Sequence, residues 1–182
     1  KFKFDRIYVV PSKGNNTAHS DTLLVTCVDF RLIDEAQSFM KKLELVDHYD
    51  EVVVPGASLS IANTPIKMGV PEGPYQWGKA SREFMEACKI LHQGIKRIII
   101  LDHENCGAFK GAYRDEAIPM PEKPHGVPNC AMDSLHTLPE IERERHKDQM
   151  VKAYQSIQQW VDDWKGKPYG FEDTGLNIYT YI

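Results

Sequence analysis

The sequence predicts an α/β fold: a single domain over residues 1–182, with a mainly parallel central β-sheet flanked by helices. Two observations carry this. Apolar runs of strand length recur at "TLLVTCV" (22–28), "EVVVP" (51–55) and "KRIIILD" (96–102), each reading as a strand covered on both faces. Between them lie stretches with apolar residues at helical spacing, the alternation expected of parallel strands joined by right-handed crossovers.

The elements follow in order. "RIYVV" (6–10) reads as a short strand closed by Pro11 and a polar turn. After the strand at 22–28, "LIDEAQSFMKKLEL" (32–45) reads as an amphipathic helix. The strand at 51–55 stops at Pro55-Gly56, and a loop rich in Pro and Gly occupies 63–74. Within "YQWGKASREFMEACKILHQG" (75–94) a helix is expected to bury Trp77, Ala80, Phe84, Cys88 and Leu91, with Gly94 as its stop. The strand at 96–102 leads into a helix opened by "CGAFKGAYR" (106–114). Residues 115–137, with Pro119, Pro121, Pro124 and Pro128, form a long loop of the kind that is often functional or mobile. A helix over 139–165 carries Met150, Tyr154, Ile157, Val161 and Trp164 on one face, as core or dimer contact. "LNIYTYI" (176–182) reads as a C-terminal edge strand.

Charge and composition exclude several functions. The chain has 22 basic and 26 acidic residues and no basic cluster, so no nucleic-acid partner is expected. No apolar run approaches the ~20 residues that span a bilayer, so no membrane partner is expected either. Cysteines stand at 27, 88, 106 and 130 in a chain too long to need a disulfide scaffold. No signal-peptide pattern opens the sequence, and a reduced, cytoplasmic protein is expected. Cys88 falls on an apolar helix face and reads as core, while Cys130 in the Pro-rich loop suggests no role.

The unusual feature is how two of the strands end. "LLVTCVDFR" (23–31) closes an apolar run with Cys27, Asp29 and Arg31 at alternate positions. "IIILDHENCGAF" (98–109) closes another with His103 and Cys106. In parallel sheets, ligands bind at the carboxyl ends of strands. A His-x-x-Cys pair at a strand-to-helix turn can bring both side chains to one point. Two thiolates and one imidazole suit zinc (Zn2+), with a fourth position open in a catalytic site or filled in a structural one. The alternative is two buried thiols, a core histidine and a structural Asp29–Arg31 ion pair. Asp102 and Glu104 flank a ligand and default to the surface. His125 and His136 read as solvated loop histidines, with a lid or proton-shuttle role as the sharper option.

Cys27-Val-Asp29-Phe-Arg31 together with His103-Glu-Asn-Cys106-Gly107 resembles the β-class carbonic anhydrases, whose metal site is Cys-x-Asp-x-Arg plus His-x-x-Cys-Gly. The resemblance extends through residues 81–109 and covers mostly 22–113. It implies a β-carbonic anhydrase-like fold and a zinc ion held by Cys27, His103 and Cys106. It also implies reversible hydration of carbon dioxide to bicarbonate by a zinc-bound hydroxide. Asp29 would orient that hydroxide, and Arg31 would keep Asp29 ionised and in place. Some members close the site by binding this aspartate to the metal, so the pair could also be a switch. Gly56, Ala57 and Gly107 would belong to the substrate pocket. The chain departs from the family at 55–58, where Pro-Gly-Ala-Ser stands for the usual Arg-Asn-Ala-Gly, and in lacking a recognisable N-terminal helical arm. The spacing from Cys27 to His103 is also long, which residues 63–75 account for. A homodimer or higher homo-oligomer is implied. Two other functions remain open on the same residues: a zinc hydrolase of carbonyl sulfide or carbon disulfide, or a non-catalytic domain whose zinc is closed off by Asp29.

Overall fold

A computed structural model describes residues 20–67, 73–92, 94–113, 140–167 and 177–181. Strand β1 (Thr22–Cys27) leads through a 3-10 turn (Phe30–Leu32) into α1 (Ile33–Lys42) and β2 (Tyr49–Val54). The short α2 (Ser58–Ile61) and α3 (Gly78–Leu91) follow, then β3 (Arg97–Leu101), α4 (Gly107–Ala112), the long α5 (Glu140–Trp164) and β4 (Asn177–Tyr181). The four strands form one parallel sheet in the order β2-β1-β3-β4, the α/β architecture expected. The expected strand at 6–10, the loop at 115–137 and the residues His125, Cys130 and His136 lie outside the described residues.

Helices cover both faces of the sheet. Leu23, Val25, Ile98 and Ile100 meet Ile157, Trp160 and Trp164 of α5 and Met85 of α3 on one side. Leu24, Ile99 and Leu101 meet Ala36 and Met40 of α1 and Phe109 of α4 on the other. In β1 and β3 successive residues therefore face opposite cores, which is why both read as unbroken apolar runs. Fully burying each such aliphatic side chain contributes about 1.5–3 kcal/mol.

Three expectations are corrected. β2 was expected to be buried on both faces, but it is an edge strand with Glu51 exposed and Val53 50% exposed. The apolar period of its sequence reports one covered face and a strip left in the open. In α3, Phe84 and Leu91 point outward, and the buried face runs through Ser81, Met85 and Lys89 with Cys88 partly buried beside it. In α5 the buried line is His146, Met150, Ala153, Ile157, Trp160 and Trp164, and Tyr154 is exposed. For both helices the sequence offers two overlapping apolar stripes, and packing against the sheet selects one. The C-terminal strand lies at the edge as expected, paired to β3 from Arg97↔Asn177 to Leu101↔Tyr181. Ile66 and Tyr75, both within 63–75, form an antiparallel bridge.

Strand order also locates the site. The chain leaves β1 toward β2 on one side, and β3 returns on the other. The crevice at the carboxyl ends of β1 and β3 is thus the topological switch point, where parallel sheets bind ligands. Among the described residues, no helix is long and apolar enough to cross a membrane.

Candidate metal centre

Cys27 is the last residue of β1, and His103 and Cys106 belong to the turn between β3 and α4. Their candidate ligand atoms lie within 4.8 Å of one another. The Sγ atoms of Cys27 and Cys106 are 3.7 Å apart. A tetrahedral metal with Zn–S bonds of about 2.3 Å would separate two sulfurs by about 3.8 Å, so the thiols stand at coordination distance and not at disulfide distance. His103 Nδ1 donates to the carbonyl oxygen of Glu104 at 3.0 Å, because a carbonyl only accepts. That leaves the lone pair on Nε2, which is buried and has no hydrogen-bond partner. Metal-binding histidines are commonly oriented in this way, by one N–H held on a backbone carbonyl. The donor chemistry thus fits a divalent cation.

The backbone prepares the thiolate. Gly56 N–H donates to Cys27 Sγ at 3.2 Å. Gly56 has φ +65°, and a Cβ there would stand 2.8 Å from Leu59 Cδ1 and 2.9 Å from Ala108 Cβ, so the turn needs glycine. The Cys106 thiol, then His103 and the Gly56 amide, hold Cys27 down to about 4 against the effect of its burial. Cys106 moves the opposite way, up, because its proton is shared with Cys27 and because it is buried. Burial works against a charge on His103, but the Cys27 thiolate and Asp29 outweigh it and raise its pKa. Without a cation the two thiols share one proton, which a bound metal would displace.

Asp29 stands beside the cluster, its Oδ2 3.9 Å from His103 Nε2. Arg31 takes both of its oxygens in a fork, Nε to Oδ1 at 2.9 Å and Nη2 to Oδ2 at 2.6 Å, and the Arg31 backbone N–H adds a third bond to Oδ1. These bonds hold the Asp29 carboxyl well below the usual carboxylate range. The alternation of Cys27, Asp29 and Arg31 is therefore a candidate ligand, a carboxylate and its anchor, laid over the strand end and the 3-10 turn after it. A cleft of about 590 Å³ opens onto Cys27 and Asp29, walled by Ile66, Lys67, Gly107 and Lys110. Segment 66–67 comes this close because Gly111 of α4 has no side chain: a Cβ there would meet the Lys67 carbonyl oxygen at 2.7 Å.

The predicted residues divide. Cys27, His103, Cys106, Asp29 and Arg31 come together, and Gly107 lines the cleft. Gly56 serves the Cys27 thiolate from below, and Ala57 is fully buried within a core cluster. Asp102, expected at the surface, is 3% exposed. Its carboxylate accepts from Ser58 N–H at 3.1 Å, from Ser58 Oγ, and from His146 Nδ1 at 3.1 Å. Sequence reading missed Ser58 and His146. The signal for His146 was present, since it falls on the same helical stripe as Met150, Ala153 and Ile157, the buried face of α5.

Over 104 residues, 57% of the chain, the sequence is 44% identical to an uncharacterized protein of Rickettsia bellii and 42% identical to an uncharacterized protein of Rickettsia conorii. The match covers 58% and 51% of those proteins, so the chain spans little more than half the length of these relatives. No family model matches the chain, and no solved structure matches it.

Proposed function

We propose that the chain is a zinc-dependent enzyme of the β-carbonic anhydrase type, hydrating carbon dioxide reversibly to bicarbonate. One observation carries the reading: two thiols and an unpartnered imidazole nitrogen converge beside an aspartate locked by an arginine. Two sulfurs and one nitrogen favour zinc over the harder cations. Cys27, His103 and Cys106 would hold it. Zinc with three protein ligands supplies a water acidic enough, pKa about 7, to act as a nucleophile at neutral pH.

The chain's own residues do the rest. Asp29, ionised at any working pH, would accept a hydrogen bond from a metal-held water and so orient it toward the cleft. Arg31 keeps that carboxylate ionised and fixes its plane. Both Asp29 oxygens are engaged by Arg31, which favours the open site over one closed by aspartate. Lys67 and Lys110 on the cleft walls suit an anionic product. Thiols that must stay reduced suit the cytoplasm. A second copy would cover Val28, Ile33 and Val53, which line one cavity at the sheet edge, and the neighbouring Phe30, which is 80% exposed.

The test is stopped-flow carbon dioxide hydration at about pH 8.5, where a water of pKa about 7 is mostly ionised, on protein of known zinc content and its Asp29→Asn variant. Fast hydration that falls at least about tenfold in the variant supports the reading. Zinc-loaded protein with no hydration above buffer overturns it, and turnover of carbonyl sulfide or carbon disulfide would then reassign the substrate.

A further inference from the structure

Two of the three candidate ligands, His103 and Cys106, ride on one short turn, and that turn is gripped from outside. At its start, the Asp102 N–H donates to the Tyr181 carbonyl oxygen at 3.0 Å. The Asp102 carboxylate is held by Ser58 and by His146 Nδ1. Near its end, Asn105 sits in the left-handed region, φ +57°, a conformation asparagine tolerates better than most residues. Its peptide groups are taken from two sides. Arg31 Nη2 donates to the Asn105 carbonyl oxygen at 3.3 Å, and the Asn105 N–H donates to Glu142 Oε1 at 3.1 Å.

Glu142 and His146 are one turn apart on α5, with Glu142 Oε1 4.0 Å from His146 Nε2. The His146 ring is fully buried and stacks on Phe109 of α4, centroids 3.8 Å apart. The first turns of α5 therefore hold both ends of the ligand-bearing turn. The arginine that locks Asp29 holds the same residue, Asn105, as Glu142, through the peptide unit that follows.

We propose that Glu142 and His146 are positioning residues of the metal centre: they set the angle at which His103 and Cys106 meet Cys27, and they join α5 to the Arg31–Asp29 pair. This rests on reading Cys27, His103 and Cys106 as metal ligands, but not on the reaction. Glu142 is the better probe because its side chain is partly exposed and its loss leaves the core intact. Glu142→Gln keeps an oxygen that accepts from Asn105 N–H, whereas Glu142→Ala removes it. His146→Asn keeps a donor toward Asp102, whereas His146→Leu does not.

The experiment loads the full chain and each variant with cobalt(II). It reads the sulfur-to-cobalt charge-transfer and ligand-field bands, and the rate of metal release to a chelator. The expected result is shifted bands and release about 10–100 times faster in Glu142→Ala, with both restored in Glu142→Gln and the metal-free proteins melting together. His146→Asn should likewise approach the parent where His146→Leu does not. Bands and release unchanged in Glu142→Ala, or a glutamine variant no better than alanine, would overturn the proposal. If the parent chain takes up no cobalt, the ligand set itself is wrong and the positioning role falls with it.

Discussion

Arg31 grips Asp29 through two parallel hydrogen bonds, 2.9 Å from Nε to Oδ1 and 2.6 Å from Nη2 to Oδ2, only two residues away along the chain. The pair is a local device. The 3-10 turn at Phe30–Leu32 brings the guanidinium back over the carboxylate, and Asp29 caps that turn through the Arg31 N–H. Arg31→Gln should therefore release Asp29 without disturbing the fold. The carboxyl pKa, now held below the usual range, should rise toward the ordinary value of about 3.9, short of it by what the retained backbone N–H contributes. A depressed folded-state pKa stabilises the native state above the unfolded value, and that contribution fades as pH falls through the folded one. Arg31→Gln should thus be less stable than the parent above about pH 4 and match it in strong acid. Carboxyl carbon NMR titration checks the pKa, and hydration should fall about 10–100-fold in the same variant.

Metal uptake should release protons. With Cys27 held down to about 4 and Cys106 pushed up, the free thiol pair carries one proton near neutral pH, mostly on Cys106. Zinc binding should expel it, so affinity should weaken about tenfold for each unit of pH lost near neutrality. The fall should steepen further as pH drops through the raised pKa of His103, which then takes up a proton of its own. Calorimetry in buffers of different ionisation enthalpy reads the number directly. Zero protons released at neutral pH would contradict the shared-proton pair.

Gly56→Ala should be costly for its size. The added methyl meets Leu59 and Ala108 below 3.0 Å and asks alanine for φ +65°. A loss of about 1–3 kcal/mol is expected from the backbone conformation and the overpacking together. Urea unfolding of the metal-free protein measures it, and an unchanged midpoint would mean that the turn relaxes without strain.

Phe30 should matter only between copies. It is 80% exposed in the single chain, beside the cavity lined by Val28, Ile33 and Val53. Sedimentation equilibrium at micromolar protein should give a mass of at least roughly twice the 20.8 kDa of one chain. Phe30→Glu should shift the protein toward the monomer while leaving its circular dichroism unchanged. A parent protein that is already monomeric would remove the dimer from the reading.

The alternation of elements was legible because a parallel sheet covered on both faces needs strands that are apolar at every position, and "LLV" and "III" are exactly that kind of run. The candidate ligand set was legible because Cys27 and His103 stand where apolar runs stop, with Cys106 three residues beyond His103. The outward turn of Phe84 and the edge position of β2 were not legible. Apolar periodicity shows that a face exists, not which neighbour covers it.

By itself, then, the sequence determined which residues end the strands, which of them bear thiol, imidazole and carboxylate, and that Asp29 and Arg31 are close enough to pair. Those are properties of adjacent residues and short turns. Tertiary structure alone decided that β1 and β3 lie side by side at the switch point, bringing Cys27 to 3.7 Å from a cysteine 79 residues away. It also decided that Asp102 is buried against Ser58 and His146, and that Glu142 reaches the Asn105 amide. The physical reason is the same for each. Strand order and helix docking are chosen by the burial of whole apolar faces, and no single residue carries that sum.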